Sequence, residues 1–330
     1  MTKNRIIVGV FVSGVLIGGC KDVQSVLVPK GPGAAQIAQL SWIMFAFAAV
    51  VLIIVVVASW FAIRGSDAVR ARLAATTAVL VGGAAFPVLT LTVLLGYGVW
   101  LTHANVRPPG DENAVRIEVV GEQWWWRVAY PQPDGRSVAS ANEIRIPAGR
   151  AVDFVLTSTD VIHSFWVPNL GGKVDMIPGR TTQLRLVADQ PDVFRGQCAE
   201  FCGGPHALMA FEVVAMNAVG FDAWITAQSA PAAEPTTPEA QRGKELFIAA
   251  GCGGCHAVRG TEATGTIGPD LTHIGSRRSV GIDTLPVTQA NLARFIVEGQ
   301  HVKPGNRMPP FRIFAEAELD ALTTYLAGLR

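Results

Sequence analysis

Charge is scarce in this chain of 330 residues. Asp, Glu, Lys and Arg together make up 16% of it, and they include no basic run. Proteins that bind nucleic acid carry a basic patch or stripe, so the sequence gives no support to that class. No internal repeat is visible either. Half of the residues are hydrophobic, which predicts a few membrane spans joined to water-soluble domains.

The few charges are unevenly distributed. Residues 1–103 hold 7 Lys and Arg against 2 Asp and Glu, residues 104–230 hold 10 against 14, and residues 241–330 hold 10 against 8. An acidic middle region beside a mildly basic last region favours electrostatic docking between them, or docking of an outside basic protein onto the middle region. Ordinary solvated faces would give the same small asymmetries.

Only five cysteines occur, and each has a candidate role. Cys20 follows a basic start, the apolar stretch Ile6–Ile17 and two glycines. This arrangement resembles a bacterial lipoprotein signal, residues 1–20, cleaved before a cysteine that then carries lipid. A slightly short membrane span with a bystander cysteine is the alternative. Both interpretations predict an exported chain.

Two long apolar stretches follow, over about 41–63 and 77–101, within a region 21–103. Each is long enough to cross a hydrocarbon core of roughly 30 Å as a helix. Arg64, Arg70 and Arg72 lie in the short loop between them, which predicts that this loop is cytoplasmic and both flanks are outside. Neither stretch contains a histidine.

The rest of the chain divides by sequence texture. Residues 104–227 contain short alternating runs separated by Pro, Gly and Asp turns, which predicts a β-sandwich or small barrel. Residues 228–238 are rich in Pro and Ala, as expected of a linker. Residues 239–330 predict a small all-α domain. Its helical segments are 239–250, 289–298 and 316–329.

A run of soft donors extends from Cys198 through Cys202 and His206 to Met209. On a loop between two strands these side chains can converge, and two thiolates are enough to bridge two copper ions. A second imidazole is expected from His163, on the turn after a predicted strand. A disulfide between the cysteines or a zinc site is the alternative, whereas a mononuclear blue-copper site needs only one cysteine.

The sequence Cys252-Gly-Gly-Cys255-His256 is the covalent attachment motif of c-type haem. The cysteines would form thioethers, His256 would be the proximal ligand, and Met308 is the candidate for the sixth position. A thioredoxin-like redox disulfide lacks its βαβ pattern here. The alternative axial ligands are His273 and His301.

At the soft-donor run the chain resembles subunit II of the haem–copper oxidases, specifically cytochrome c oxidase with its binuclear CuA centre. The resemblance covers residues 41–216 and is carried by 163–168, 173–180 and 196–209. It implies a two-helix transmembrane hairpin and an all-β cupredoxin-like Greek-key domain. It implies six copper ligands: His163, Cys198, Glu200 through its backbone carbonyl, Cys202, His206 and Met209. The Glu200 carboxylate would help bind Mg²⁺ at the interface with the catalytic subunit.

The segment Gly121–Trp126 resembles the aromatic segment of the same family, in which an exposed tryptophan accepts electrons from cytochrome c. Trp124 matches that position, and the alternative is that the three tryptophans pack a strand. At least one must do so, because strand side chains alternate between faces. Many members also carry a glutamate shortly before the proline of the second span. None precedes Pro87 here, so proton uptake would be supplied by another subunit.

Residues 239–330 resemble a class I cytochrome c, an all-α fold. The resemblance is carried by 243–247, the attachment motif, 268–271, the Met308 loop and the last helix. It implies a haem held covalently by Cys252 and Cys255. It also implies that the Pro269 carbonyl accepts a hydrogen bond from His256 and fixes its orientation.

Together the resemblances imply a multi-pass subunit II of a cytochrome c oxidase in the bacterial inner membrane, with its soluble domains in the periplasm. A soluble or membrane cytochrome c, or the quinol–cytochrome c reductase, would reduce the haem. Electrons would pass to CuA and then to the catalytic haem–copper subunit, which reduces O₂ to water. The alternative is the electron-accepting subunit of a CuA-type nitric oxide reductase. The two spans argue against a free-standing carrier, and nitrous oxide reductase lacks such spans.

Overall fold

The computed structural model describes residues 24–106, 113–281 and 283–330. In chain order they form two long apolar helical stretches, a β-sandwich of two five-stranded sheets, and a small helical domain. The fold class predicted from the sequence is therefore confirmed. Cys20 and the candidate signal segment before it lie outside the described residues.

Both apolar stretches are long enough to cross a membrane as helices. In order, the elements are α1 (Pro32–Arg64), α2 (Asp67–Leu73), α3 (Thr76–Leu80), a π-helical turn (Val81–Ala85) and α4 (Phe86–Val106). α1 begins ahead of the apolar run because its first turns pack on the sandwich. Ala34 N donates to Leu170 O at 3.1 Å, and both Ala34 and Ala38 are buried. The most apolar window of each stretch has no buried residue, so its faces are available to lipid or another chain.

The π-helical turn contains Gly82 and Gly83, with Pro87 shortly after it. A proline has no N–H to donate to the carbonyl four residues earlier, so regular α-helical bonding cannot continue through this point. A single π turn inside a helix is the usual local adjustment. The sequence therefore explains why the second stretch is not one uniform α-helix.

Within the described residues the sandwich contains ten strands. They are β1 (Val115–Glu122), β2 (Trp125–Pro131), β3 (Ser137–Ala141), β4 (Glu143–Pro147), β5 (Val152–Ser158), β6 (His163–Trp166), β7 (Val174–Met176), β8 (Thr182–Leu186), β9 (Asp192–Cys198) and β10 (Ala210–Met216). One sheet has the order β3-β2-β1-β5-β8 and the other β4-β10-β9-β6-β7. The pairs β1–β5 and β4–β10 are parallel, and the others are antiparallel. Inward side chains alternate with outer ones, as in β5.

Aromatic rings fill the space between the sheets beneath the candidate copper loop. Trp126 meets Phe165 and Phe211 edge-on, with ring centroids 5.8 Å and 5.0 Å apart. Gly196 makes room for Phe211, because a Cβ at that glycine would lie 2.2 Å from the ring. Cys198, Cys202 and Met209 belong to the same buried cluster. The loop is therefore mounted on a rigid core.

The helical domain follows α5 (Ala218–Ser229). It contains α6 (Pro238–Ala249), β11 (Ser279–Val280), β12 (Leu285–Pro286), α7 (Gln289–Val302) and α8 (Glu316–Gly328). The Thr237 side chain caps α6 by accepting from Ala240 N. α6 crosses α8 at Gly243, where a Cβ would lie 2.0 Å from Ala321 O. This close approach requires glycine, and it brings Phe247 edge-on to Tyr325 at 5.9 Å.

Candidate functional site

The end of β9 and the loop that leads to β10 gather five of the six candidate copper ligands. The Sγ atoms of Cys198 and Cys202 lie 3.8 Å apart, and Cys202 Sγ lies 3.5 Å from His206 Nδ1 and 3.7 Å from Met209 Sδ. Cys198 Sγ is also 3.2 Å from Glu200 O. Both cysteines are free thiols, so the structure contains no disulfide between them.

His163 reaches the same cluster from a neighbouring strand. It is the first residue of β6, where the sequence had indicated a turn, and β6 pairs with the end of β9. The ligand atoms of His163, Cys198 and Cys202 lie within 4.8 Å of one another, and all three residues are buried. Gly121 faces the imidazole, and a Cβ there would lie 2.8 Å from the ring. Two thiols, two imidazoles, a thioether and a carbonyl form a donor set that fits copper.

The two thiols cannot both ionise freely without a cation. A hydrogen bond from Cys202 lowers the pKa of Cys198 to about 3. The same hydrogen bond, burial and the charge on Cys198 raise the pKa of Cys202. Burial opposes the charged form of His163, but its bonds with Cys198 and Asp160 leave its pKa raised. The cluster by itself therefore keeps a proton between its sulfurs, and a bound cation is what allows two thiolates.

Asp160 orients His163, although it is not among the site residues predicted from the sequence. Asp160 Oδ1 lies 2.9 Å from His163 Nε2, and its other oxygen accepts from Gln123 N at 2.6 Å. Burial opposes ionisation of this carboxyl, yet the hydrogen bonds lower the pKa of Asp160. A carboxylate on Nε2–H leaves Nδ1 free to face Cys198, which is the usual support of a metal-binding imidazole. The only sequence signal was a carboxylate three residues before the candidate ligand.

The Glu200 carboxylate lies at the surface. It is 44% exposed and 3.8 Å from Lys173 Nζ, which also donates to Asp175 at 2.9 Å. Mg²⁺ prefers an octahedral shell of oxygens. The described residues around Lys173 offer two carboxylates at most, so the other oxygens of such a shell would come from water or another chain.

A cavity of about 280 Å³ is lined by the helical domain together with sandwich residues that include Trp124. Its lining includes the attachment motif through Cys252, Cys255 and His256, and also Met308. Apolar side chains form much of the remaining wall, among them Phe247, Leu271, Leu292, Ile296, Leu322 and Leu326. Haem attachment residues and both candidate axial side chains thus share one largely apolar space.

His256 is held with one ring nitrogen free. Its Nδ1 donates to Pro269 O at 2.8 Å, which leaves Nε2 with a lone pair. Burial lowers the pKa of His256, so the neutral form is favoured. Gly268 packs directly on the ring, since a Cβ there would lie 2.5 Å from its Cε1. This neutral, fixed imidazole is suited to bind iron.

Arg277 gives a second test of whether haem fits the cavity. It lines the cavity and donates to Asp270 O, but its buried Nε has no hydrogen-bond partner. A buried N–H of this kind needs an acceptor, and a haem propionate would supply one. The two alternative axial histidines do not line the cavity, since His273 Nε2 lies 3.1 Å from Ala230 O and His301 is exposed. The residues present therefore fit a covalently bound haem.

Trp124 lies between the two candidate sites. Its ring N–H donates to Cys202 O at 2.9 Å, and the same residue lines the cavity of the helical domain. It is half-buried, whereas Trp126 is fully buried in the sandwich core and Trp125 carries the Arg127 guanidinium 4.6 Å above its ring. One tryptophan thus packs the core, and Trp124 contacts both sites.

Comparison with known proteins agrees with this architecture. The family described as "Cytochrome C oxidase subunit II, periplasmic domain" matches residues 132–217, and "Cytochrome c" matches residues 240–330. Cytochrome c oxidase subunit 2 of Alkalihalophilus pseudofirmus is 34% identical over 328 residues, covering 96% of this chain and 94% of the relative. This chain belongs to the cytochrome c oxidase subunit 2 family.

Two further similarities have narrower coverage. Cytochrome c oxidase subunit 2 of Bacillus sp. strain PS3 is 37% identical over 232 residues, which is 67% of this chain and 64% of that one. The solved periplasmic domain of subunit II of cytochrome oxidase from Bradyrhizobium japonicum is 30% identical. It covers 37% of this chain and 95% of its own, with a TM-score of 0.34.

Membership of this family gives the general function of the chain. The chain is a component of a haem–copper oxidase and combines a subunit II periplasmic domain with a cytochrome c domain. Other oxidase subunits are therefore its partners. The two apolar helices suggest a membrane anchor, and the periplasmic domain suggests that the soluble part faces outward. Copper and haem are consistent with the family and with the donor sets described above.

Proposed function

We propose that this chain accepts electrons at a covalently bound haem c and passes them through CuA to the catalytic subunit, which reduces O₂ to water. Haem and the copper pair, when bound, would supply one-electron carriers. Cys252 and Cys255 would hold the haem, with His256 and Met308 as its axial ligands. The copper ligands would be His163, Cys198, the Glu200 carbonyl, Cys202, His206 and Met209.

The position of Trp124 is the observation that carries this proposal. It lines the cavity of the haem domain and donates to the carbonyl of Cys202, a candidate copper ligand. A single side chain therefore connects the two donor sets. This arrangement supports transfer between two sites of one chain, with Trp124 in the electron-accepting position that the family resemblance implies.

The surrounding residues keep each site rigid. Pro269 O fixes the orientation of His256, and Asp160 fixes that of His163. The thioether of Met308 would close the sixth position of the iron and raise its potential, as His/Met ligation does. Fixed ligands reduce the rearrangement that accompanies each change of oxidation state, which favours fast electron transfer.

We extend the proposal to domain boundaries and location. Residues 1–20 would be a lipoprotein signal with lipid on Cys20, followed by a membrane hairpin over 21–103, a copper domain over 104–227, a linker over 228–238 and a haem domain over 239–330. The chain would lie in a bacterial inner membrane with both domains in the periplasm. Arg64, Arg70 and Arg72 lie between the two apolar stretches, and the positive-inside rule places them in the cytoplasm.

Partners follow from two exposed groups and from the haem domain. Glu200 is partly exposed, and the adjacent Phe201 is 77% exposed. An exposed aromatic side chain beside a carboxylate supports an interface with the catalytic subunit here, with Mg²⁺ shared through Glu200. The donor would be a soluble or membrane cytochrome c, or the quinol–cytochrome c reductase.

Oxygen uptake by the complex purified through this chain tests the proposal. An artificial reductant that feeds c-type haem is supplied, and NO consumption is followed on the same sample. We expect fast O₂ uptake and slow NO loss. The nitric oxide reductase alternative is not favoured, because the relatives reported above are cytochrome c oxidase subunits. Fast NO loss with slow O₂ uptake would overturn the proposed acceptor while leaving the ligand assignments intact.

A further inference from the structure

The copper domain and the haem domain are in direct contact through charged side chains. Arg278 N donates to Glu143 Oε2 at 2.8 Å, and its guanidinium lies 3.2 Å from Glu212. Arg195 and Asp283 form a further pair at 2.7 Å, with the charges reversed. The haem domain is thus docked on the sandwich. The haem domain contributes mainly basic groups to this contact, and the sandwich contributes mainly acidic ones.

A second set of contacts surrounds the loop that carries Met308. Lys303 Nζ donates to Trp124 O at 2.5 Å. The Arg307 guanidinium donates to Gln123 Oε1 at 3.0 Å and lies 4.0 Å from Asp160. We refer to Lys303, Arg307, Gln123 and Trp124 as the clasp.

Both arms of the clasp end on one atom of the copper loop. Gln123 Nε2 and Trp124 Nε1 each donate to Cys202 O at 2.9 Å. One arm therefore runs from Arg307 through Gln123, and the other from Lys303 through Trp124. Gly305 lies between Lys303 and Arg307 in the sequence, and a Cβ there would be 3.3 Å from Pro205 of the copper loop. The Met308 loop is thus fastened to the copper loop by hydrogen bonds and by packing.

Lys303 is unusual because it is only 2% exposed. A buried ammonium group is costly unless it is hydrogen-bonded, and burial lowers the pKa of Lys303 to about 7. Its long side chain could otherwise extend to water. Among the described residues the hydrogen bond of its ammonium goes to Trp124 O, across the domain interface. The contact that satisfies this lysine therefore exists only when the domains are docked.

We propose that Lys303 and Arg307 are positioning residues that hold the Met308 loop of the haem domain on the Gln123–Trp124 segment. While docked, the chain's own haem domain covers Trp124. An outside cytochrome c is then excluded from this tryptophan and must deliver its electrons to the haem domain. The electron-transfer part of this inference rests on the function proposed above, whereas the docking part does not.

The test uses the intact oxidase complex with Arg307→Gln, Lys303→Met and the double variant. Arg294→Gln is the matched control, since Arg294 is on the same domain, is 49% exposed, and pairs only weakly with Glu298 at 3.9 Å. Hydrogen–deuterium exchange is followed in peptides spanning 121–126 and 299–308. Flash reduction of the haem then gives the rate at which the copper centre is reduced.

In the double variant we expect both peptides to exchange about tenfold faster or more, because hydrogen bonds to charged groups are lost from both arms. Copper reduction from the haem should slow, and soluble cytochrome c should reduce the copper centre directly. Arg307→Lys, which retains the charge and a donor, should restore most of the protection. The Arg294→Gln control should match the unaltered complex, and the absorption spectra of both centres should stay unchanged in every variant.

Unchanged protection of 121–126 in the double variant would overturn the clasp. If Lys303→Met prevents haem incorporation, Arg307→Gln alone decides, since Arg307 is 64% exposed and its replacement is compatible with folding. If the copper centre is never reduced from the haem, even in the unaltered complex, the proposed function fails. Coupled exchange of the two peptides would still support the docking role of these residues in that case.

Discussion

Replacing Gly268 with alanine tests whether close packing under His256 sets the position of the imidazole. A Cβ at residue 268 would lie 2.5 Å from Cε1 and 2.8 Å from Nδ1 of His256. Non-bonded heavy atoms rest about 3.5 Å apart, so the ring must withdraw by about 1 Å. The 2.8 Å hydrogen bond from His256 Nδ1 to Pro269 O cannot persist through such a shift.

Two measurable effects follow from that displacement. Overpacking costs about 1–3 kcal/mol, and the lost hydrogen bond adds about 0.5–1.5 kcal/mol. A domain of this size loses about 4–8 °C in Tm per kcal/mol, so the melting temperature of the haem domain should fall by about 6 °C or more. The hydrogen bond also makes the imidazole a stronger donor to iron. Its loss disfavours the oxidised haem and raises the potential, by about 40 mV for each kcal/mol.

Gly254→Ala is the matched control in the same attachment motif. A Cβ at Gly254 meets nothing within 4 Å, so this variant should melt and titrate like the unaltered chain. Thermal unfolding is followed by haem absorbance in the intact complex, and the potential by a redox titration. Equal melting temperatures and potentials for the two alanine variants would refute the reasoning.

Three other substitutions, the first with a control variant, separate the roles of the two sites. Met308→Leu should leave the haem attached but let CO bind the reduced iron, whereas the control Met216→Leu should not allow CO to bind. The absorbance of the haem under CO checks this. Absence of CO binding to Met308→Leu would exclude Met308 as the sixth ligand. Cys202→Ser would replace one of the two thiolates proposed to bridge the copper ions, so the copper EPR signal should be lost while the haem spectrum persists. Persistence of the EPR signal of two coppers that share one unpaired electron would contradict a bridging role for Cys202. Gly243→Val should prevent the haem domain from folding, because the new Cβ would lie 2.0 Å from Ala321 O, at a cost of about 3 kcal/mol or more. The haem content of the complex would then fall while its copper content would not. Normal haem content would contradict this prediction.

Strand β5 could be predicted from the sequence, whereas β6 could not, and their burial patterns differ. β5 alternates between buried and half-buried positions along its whole length, and its pattern is legible without a structure. In β6 the first three residues are all buried, because the strand lies inside the second sheet with its start at the candidate metal cluster. The resulting lack of period is why His163 was assigned to a turn. β9 contains Gly196, which reads as a strand breaker but accommodates the Phe211 ring.

Among the site residues, those close together in the sequence could be predicted, whereas those brought together only by the fold could not. Short spacing identified the donors from Cys198 to Met209 and the attachment motif, since such groups must be near each other on any loop. Gln123 and Lys303 carry no such signal, and Asp160 has only its position three residues before His163. Their roles depend on contacts between strands or between domains, and a lysine in particular is normally solvated. The structure alone shows that Lys303 is enclosed by a different domain.

The charge asymmetry of the sequence left open whether the acidic middle region meets the haem domain or an outside protein. In the structure Glu143, Glu212 and Asp160 already face Arg278 or Arg307, so part of that acidic surface is occupied from within the chain. Ion pairs at an exposed rim contribute about 0–1 kcal/mol each, which alone is too little to hold two separate proteins together. A short linker gives an effective concentration in the millimolar range, at which a weak interface is largely occupied. The covalent linker therefore makes a small, partly ionic interface sufficient, and the buried contact of Lys303 gives that interface a defined orientation.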